Sequence, residues 1–155
     1  MTTKQQRQTA PAGELDDRVA GRLSDTGVRY TGGRRRVVRS LASVQGPLSA
    51  AELAERLDAS VPLSSLYRSL TVLADAGVLD RTHDAGGVGR FELSEWLGGH
   101  HHHLVCLECG AVEDVDVQDA DEEVLSTIAN RVAASRRFTE VGHRIDIEGI
   151  CAKCS

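Results

Sequence analysis

Aromatic side chains are scarce in this chain: one tryptophan, two tyrosines and two phenylalanines make up 3% of its 155 residues. Its core must therefore be built from Leu, Val, Ile and Ala. Long apolar runs are missing as well. No stretch approaches the roughly 18 apolar residues of a membrane span, and the N-terminal residues lack the apolar segment of a signal peptide. No membrane partner is expected, and the expected compartment is the cytoplasm. Cys154 stands next to last, which does not fit a C-terminal prenylation signal. The H-E-x-x-H helix of zinc hydrolases is absent, no residue is nominated as catalytic, and the chain is not expected to be an enzyme. What is present, 41% hydrophobic and 26% charged residues, lies near globular averages and argues against wholesale disorder or a fibrous repeat. The length suits one domain or two small ones.

The net charge of −5 is unevenly spread. Residues 1–93 carry thirteen Lys and Arg against eleven Asp and Glu, whereas residues 94–155 carry five against twelve. The second stretch also holds all four cysteines and five of the six histidines. Local arginine clusters suit the first part to a phosphate backbone, and the second is suited to cations. The polar residues 1–13, with Pro11, Gly13 and no periodicity, read as a flexible arm. Residues 14–93 then form a first unit, 94–99 a hinge and 100–155 a second unit.

Within the first unit, Leu15, Val19 and Leu23 recur at helical spacing up to Gly27, and a second helix over 34–44 presents Val37, Val38 and Leu41 on one side. Ser49 with Glu52 makes a capping-box signature for a third helix that buries Leu53, Ala54 and Leu57. Ser64 or Ser65 is expected to cap a fourth, whose Leu66, Leu70 and Leu73 face inward and leave Tyr67, Arg68 and Thr71 outside. Two short strands follow, around Gly86-Gly87-Val88-Gly89. Helices followed by a β-hairpin describe a winged helix-turn-helix. In that architecture the fourth helix enters the major groove of double-stranded DNA, with Ser64, Ser65, Tyr67 and Arg68 as candidate contacts. The run Arg34-Arg35-Arg36 opens a helix, where the macrodipole disfavours positive charge, so an external phosphate is the expected partner of Arg34 and its neighbours. The competing reading is a small helical domain with an ordinary arginine-bearing surface.

In the second unit the cysteines form two pairs, Cys106-x-x-Cys109 and Cys151-x-x-Cys154. Four thiolates suit a tetrahedral zinc ion, and Gly110 supplies the backbone freedom such a turn needs. Two disulfides would contradict the expected compartment, and a redox pair would open a βαβ unit, which neither does. Val112, Val115 and Val117 suggest a strand, 121–131 a helix with Val124, Leu125 and Ile128 inward, and 144–150 another strand. His143 alternates with Ile145 and Ile147 and is expected to point inward. The run His100-His101-His102-His103 flows into the strand Leu104-Val105-Cys106. In an extended segment His101 and His103 share one face while His100 and His102 share the other, which offers two sites. Imidazole suits zinc, ferrous iron and nickel, and Asp80, Glu92, Asp114 or Glu122 can complete the shells. The fold class is thus α+β, an N-terminal winged helix-turn-helix followed by a small α/β domain.

Together, Thr31-Gly-Gly-Arg34, Ser49-Ala-Ala-Glu52-Leu53, Leu66-Tyr67-Arg68-Ser-Leu70, Ala76-Gly77, Arg90-Phe91-Glu92-Leu93, His100 to Gly110 and Cys151 with Cys154 resemble the ferric uptake regulator family of metal-dependent repressors. The resemblance covers roughly Leu15 to Cys154. It implies a homodimer that binds a palindromic operator when metal-loaded and controls metal homeostasis genes. Residue by residue, it makes the four cysteines structural zinc ligands, and Asp80, Glu92, His101, His103 and Asp114 regulatory ligands for zinc or ferrous iron ahead of manganese or nickel. His100, His102, Glu122 and His143 match a third site, and Tyr67 with Arg68 the recognition-helix pair. There are departures. Pro47 stands where iron-type members carry a histidine, and Ser94 aligns with a zinc-type cysteine. Two extra residues lie within 95–99, and His83 in the wing is a substitute ligand or a surface residue. A zinc or nickel storage or delivery protein is the alternative, followed by a metal-dependent hydrolase, which would need an open zinc position and a general base.

Overall fold

The computed structural model describes residues 12–58, 60–139 and 142–155. Most of the expected arm, residues 1–11, lies outside the described residues, whereas Ala12 and Gly13 already belong to the first helix, α1 (Ala12–Asp25). There follow α2 (Gly32–Ala42), β1 (Leu48–Ser49), α3 (Ala50–Leu57), α4 (Leu63–Asp75), β2 (Leu79–His83) and β3 (Gly89–Leu93). The stripes expected from helical spacing meet in one aliphatic core, where Val19, Leu23, Val37, Val38, Leu53, Leu66 and Leu73 are fully buried. Strands β2 and β3 pair antiparallel as the hairpin, and β1 adds to the other edge of β3 through Leu48↔Phe91 and Ser49↔Arg90. A two-residue strand shows no alternation, so β1 could not be read from the sequence. This is a winged helix-turn-helix.

Local chemistry sets the helix ends. Ser49 accepts the Glu52 amide while the Glu52 carboxylate accepts the Ser49 amide, which completes the capping box of α3. Helix α4 departs from expectation. Its N-cap is Pro62, whose carbonyl takes the amides of Ser65 and Leu66, so Ser64 and Ser65 lie inside the first turn with exposed side chains and cap nothing. The arginine run is also corrected. Arg35 and Arg39 reach the buried carboxylate of Asp16 at 2.8 and 2.5 Å, Arg36 donates to the Ser60 carbonyl, and Arg34 donates to the Arg29 carbonyl. Asp16 thus accounts for Arg35 within the fold, whereas Arg34 and Arg36 meet backbone carbonyls and no carboxylate among the described residues.

The second unit begins after α5 (Glu95–Gly98), a short helix within the expected hinge. Strands β4 (His102–Cys106) and β5 (Val112–Val115) form a hairpin, α6 (Asp119–Ser135) crosses over, and β6 (Asp146–Gly149) returns parallel to β4, giving the order β5-β4-β6. The inward packing expected of Val124, Leu125 and Ile128 is not found. No residue of α6 is buried, with Val124, Ile128 and Val132 at 56%, 42% and 60% exposure. Likewise Ile147, expected to face inward with His143, is exposed together with the rest of β6. In one chain this sheet and helix have too little apolar cover to close a core of their own.

Asp16 ties α1 to α2. Burial opposes its ionisation, but hydrogen bonds from Arg39, Tyr30 and Arg35 outweigh that and hold the carboxyl below its ordinary value. A depressed pKa contributes stability above the unfolded-state value near 4 and loses it as pH falls through the folded-state value. Asp16→Ala is expected to destabilise the fold by about 2 kcal/mol at neutral pH. The gap to the parent in thermal unfolding should hold down to about pH 5 and shrink below about pH 4.

Candidate metal centres

Among the described residues, three groups of side chains bring ligand atoms within 4.8 Å of one another. The first is Cys106, Cys109, Cys151 and Cys154. Strand β4 ends at Cys106 and turns at Gly110 (φ 70°), while the chain beyond β6 brings Cys151 and Cys154 alongside. All four are free thiols, with Cys109 Sγ to Cys151 Sγ at 3.8 Å and Cys151 Sγ to Cys154 Sγ at 3.7 Å. Zinc–sulfur bonds of ~2.3 Å at tetrahedral angles place sulfurs about 3.8 Å apart, so the spacing fits zinc. The electrostatics agree. Backbone amides of Cys109 and Cys151 lower the Cys106 thiol to about 6, whereas hydrogen bonding with Cys151 and the other sulfurs raises Cys154 to about 12. Four sulfurs this close ionise together only around a cation.

The second group is Glu92, His101, His103 and Asp114. Glu92 comes from β3 of the first unit, His101 from just before β4, His103 from its second position, and Asp114 from β5 opposite His103. Glu92 and both histidines are at most 6% exposed. His101 Nε2 lies 2.8 Å and His103 Nε2 3.3 Å from the Glu92 carboxylate, and each is 3.8 Å from Asp114 Oδ1. Behind the rings, His101 Nδ1 faces the Gly99 carbonyl at 3.0 Å and His103 Nδ1 faces Asp146 at 3.0 Å. Those oxygens accept, so each Nδ1 carries a proton and each Nε2 is turned toward the carboxylates. Two ring nitrogens aimed at two carboxylates need positive charge between them, either one proton per ring or one divalent cation. Burial works against ionisation of Glu92, yet hydrogen bonds from His101 and His103 hold its carboxyl at about 2. Burial likewise lowers His103, but Glu92 and Asp146 raise it further. Nitrogen and oxygen ligands at ~2.0–2.1 Å from a tetrahedral ion sit about 3.4 Å apart, within the spread found here. The donor set fits a divalent metal.

The third group is His100, His102, Glu122 and His143. Glu122, in the first turn of α6, lies 2.9 Å from His102, 3.2 Å from His100 and 2.9 Å from His143, all at Nε2. The hydrogen bond with His102 is the main cause of its lowered carboxyl pKa. His102 is 1% exposed, and its Nδ1 has no hydrogen-bond partner among the described residues. Its tautomer is therefore less firmly set than those of His101 and His103.

The remaining expected residues lie elsewhere. The structure does not bring Asp80 to the Glu92 group; its carboxylate takes Ser94 Oγ at 3.0 Å and Arg144 at 3.2 Å. Ser94 is buried beside it, and His83 is exposed at the end of β2. Ser64, Ser65, Tyr67 and Arg68 are exposed on α4, and Arg34 is half-buried in the first turn of α2. Sequence reasoning missed Asp146 and Glu95. The first faces His103 across the parallel β4–β6 ladder, and the second lies 2.9 Å from His100 Nδ1.

The sequence model of the ferric uptake regulator family matches residues 25–148. The chain belongs to that family. It is 30% identical over 144 residues to the ferric uptake regulation protein of Bacillus subtilis, covering 90% of this chain and 93% of the relative. The ferric uptake regulation protein of Legionella pneumophila is 35% identical over 136 residues, covering 85% of this chain and 95% of the relative. The crystal structure of the Vibrio cholerae ferric uptake regulator superposes with a TM-score of 0.67 at 32% identity, covering 85% of this chain and 98% of that one. Membership makes the chain a metal-responsive transcription regulator, and none of its described helices is long and apolar enough to cross a membrane.

The cysteine group of this family member gives a direct expectation. Cys106→Ser should lose about one equivalent of zinc per chain and unfold the second unit at a lower temperature, because a closed four-sulfur site contributes to folding outright. Elemental analysis with thermal unfolding checks it, and full retention of zinc at unchanged stability would refute it.

Proposed function

We propose that the protein is a repressor that binds a palindromic operator as a metal-loaded homodimer and controls metal homeostasis genes. Residues 14–93 bind DNA, 94–99 connect, and 100–155 bind metal and dimerise. Zinc occupies the cysteine group as a structural ion. Zinc or ferrous iron, held by Glu92, His101, His103 and Asp114, is the regulator, and His100, His102, Glu122 and His143 form a third site.

One observation carries the reading. Glu92 belongs to the wing while His101, His103 and Asp114 belong to the second unit, so the four donors straddle the junction between them. A divalent ion supplies the charge that lets these donors share one centre without protons, and the wing is thereby tied to the second unit. Gly99 and Asp146 hold the imidazoles in the orientation this requires. Metal affinity and DNA affinity are then reciprocally coupled, on a usual scale of about 1–3 kcal/mol.

Helix α4 suits the groove. Ser64, Ser65, Tyr67 and Arg68 are exposed, and its first turn carries no acidic residue to repel phosphate. Arg34 stands in the first turn of α2 as a further contact. The second copy covers Val124, Ile128 and Val132 of α6 with Leu104 and Ile147 of the sheet, which one chain leaves exposed.

His101→Ala combined with His103→Ala is expected to keep the cysteine-bound zinc and the dimer but abolish metal-stimulated operator binding. Fluorescence anisotropy with buffered iron, zinc, manganese and nickel measures this and identifies the metal. An unchanged response of the double variant would move regulation to the Glu122 group, and metal binding without DNA affinity in the parent would favour storage or delivery. Separately, Arg68→Ala should weaken operator binding by about 1–3 kcal/mol. Its metal content should stay that of the parent, and undiminished affinity would remove Arg68 from the interface.

A further inference from the structure

Asp114 works in two directions. Its Oδ1 lies 3.8 Å from Nε2 of both His101 and His103, while its Oδ2 accepts the backbone N–H of Gly46 at 2.9 Å. Gly46 belongs to the first unit, in the turn between α2 and β1, and is buried. Two independent features require glycine there. Its φ of +88° lies where L side chains are strained, and a Cβ would come within 2.9 Å of the Val112 carbonyl oxygen on β5. The next residue, Pro47, has no N–H to offer, so this bond falls to Gly46. The turn runs directly into Leu48 and Ser49. Leu48 pairs with Phe91 beside Glu92, and Ser49 caps α3. A bond that fixes Gly46 therefore fixes the entry to the helix-turn-helix.

We propose that Gly46 is a positioning residue: its amide, held by Asp114, clamps the α2–β1 turn to the metal cluster and carries metal occupancy into the helix-turn-helix. This rests on the reading of the Glu92 group as the regulatory site. The carboxylate that serves the ion with one oxygen orients the turn with the other, so ordering at one end orders the other.

The test uses the full chain in two measurements. In the parent, deuterium exchange of the Gly46 amide followed by NMR should slow about tenfold when diamagnetic Zn2+ is added beyond the cysteine-bound equivalent. In Gly46→Ala, the cysteine-bound zinc should match the parent, while the metal-stimulated gain, taken as the ratio of metal-loaded to metal-free operator affinity, should fall about tenfold. A Gly46 exchange rate indifferent to metal overturns the proposal, as does a folded Gly46→Ala protein with the parent's full gain. If the substitution prevents folding, the exchange measurement on the parent decides. A parent that shows no metal-stimulated operator binding refutes the regulatory function instead, and metal-dependent slowing of the Gly46 amide then still supports the clamp.

Discussion

Burying three successive histidines, His101 to His103, at and just before the start of one strand constrains the whole second unit. His101, His102 and His103 are at most 6% exposed, whereas the buried apolar residues of β4 and β5 are only Val105, Cys106 and Val112. A buried imidazole costs free energy unless its nitrogens find partners. Glu92, Asp114 and Asp146 serve one face of the strand and Glu122 the other. The first unit is held by a leucine and valine core that tolerates a shortage of aromatics. The second is held by charge balance around ligand-type side chains, and so its integrity depends on cations in a way the first does not.

The junction between the units is fastened at several points. Besides Glu92, Asp80 bridges to Arg144 at 3.2 Å, which accounts for its absence from the metal cluster. The connecting segment is anchored as well. Ser94 donates its amide to the Val78 carbonyl and its hydroxyl to Asp80, and Trp96 Nε1 donates to the Gly77 carbonyl at 2.7 Å while Arg18 donates to the Trp96 carbonyl. The residues inserted here, which from sequence threatened to displace the histidines, fold into α5, and His101 and His103 still meet Glu92. A relative shift of the units must break or carry these bonds, which favours a few discrete arrangements over continuous flexing.

What was legible in the sequence followed from short-range rules. Period-two alternation places His101 with His103 and His100 with His102 before any fold is known, and the C-x-x-C spacing gathers sulfurs on one turn. Helical stripes located the first core because each repeats within a few residues. The illegible contacts join segments distant in the sequence. Asp146 meets His103 only through the parallel register of β4 with β6, and Asp16 pairs with Arg35 and Arg39 across a helix pair. From the macrodipole alone an outside anion was the explanation for the whole arginine run; the internal carboxylate accounts for Arg35 and not for Arg34 or Arg36. The apolar face of α6 was read correctly as apolar and wrongly as buried within one chain, since periodicity reports a face but not what covers it.

The Glu92 cluster is preassembled but not symmetrical. Glu92 is already within hydrogen-bonding reach of the two histidine nitrogens, at 2.8 and 3.3 Å, whereas Asp114 stands at 3.8 Å from both. Two protons on the rings and one divalent ion give the same net charge, so the two states differ less in electrostatics than in direction. Protonated imidazoles bond well to Glu92 alone, and a metal needs all four donors at bonding distance. Asp114 is thus the donor with furthest to come, and it is also the one bonded to the α2–β1 turn. In the proposed regulation the response to metal is therefore concentrated in the carboxylate joined to the helix-turn-helix, while Glu92, on the wing, supplies the fixed side of the site.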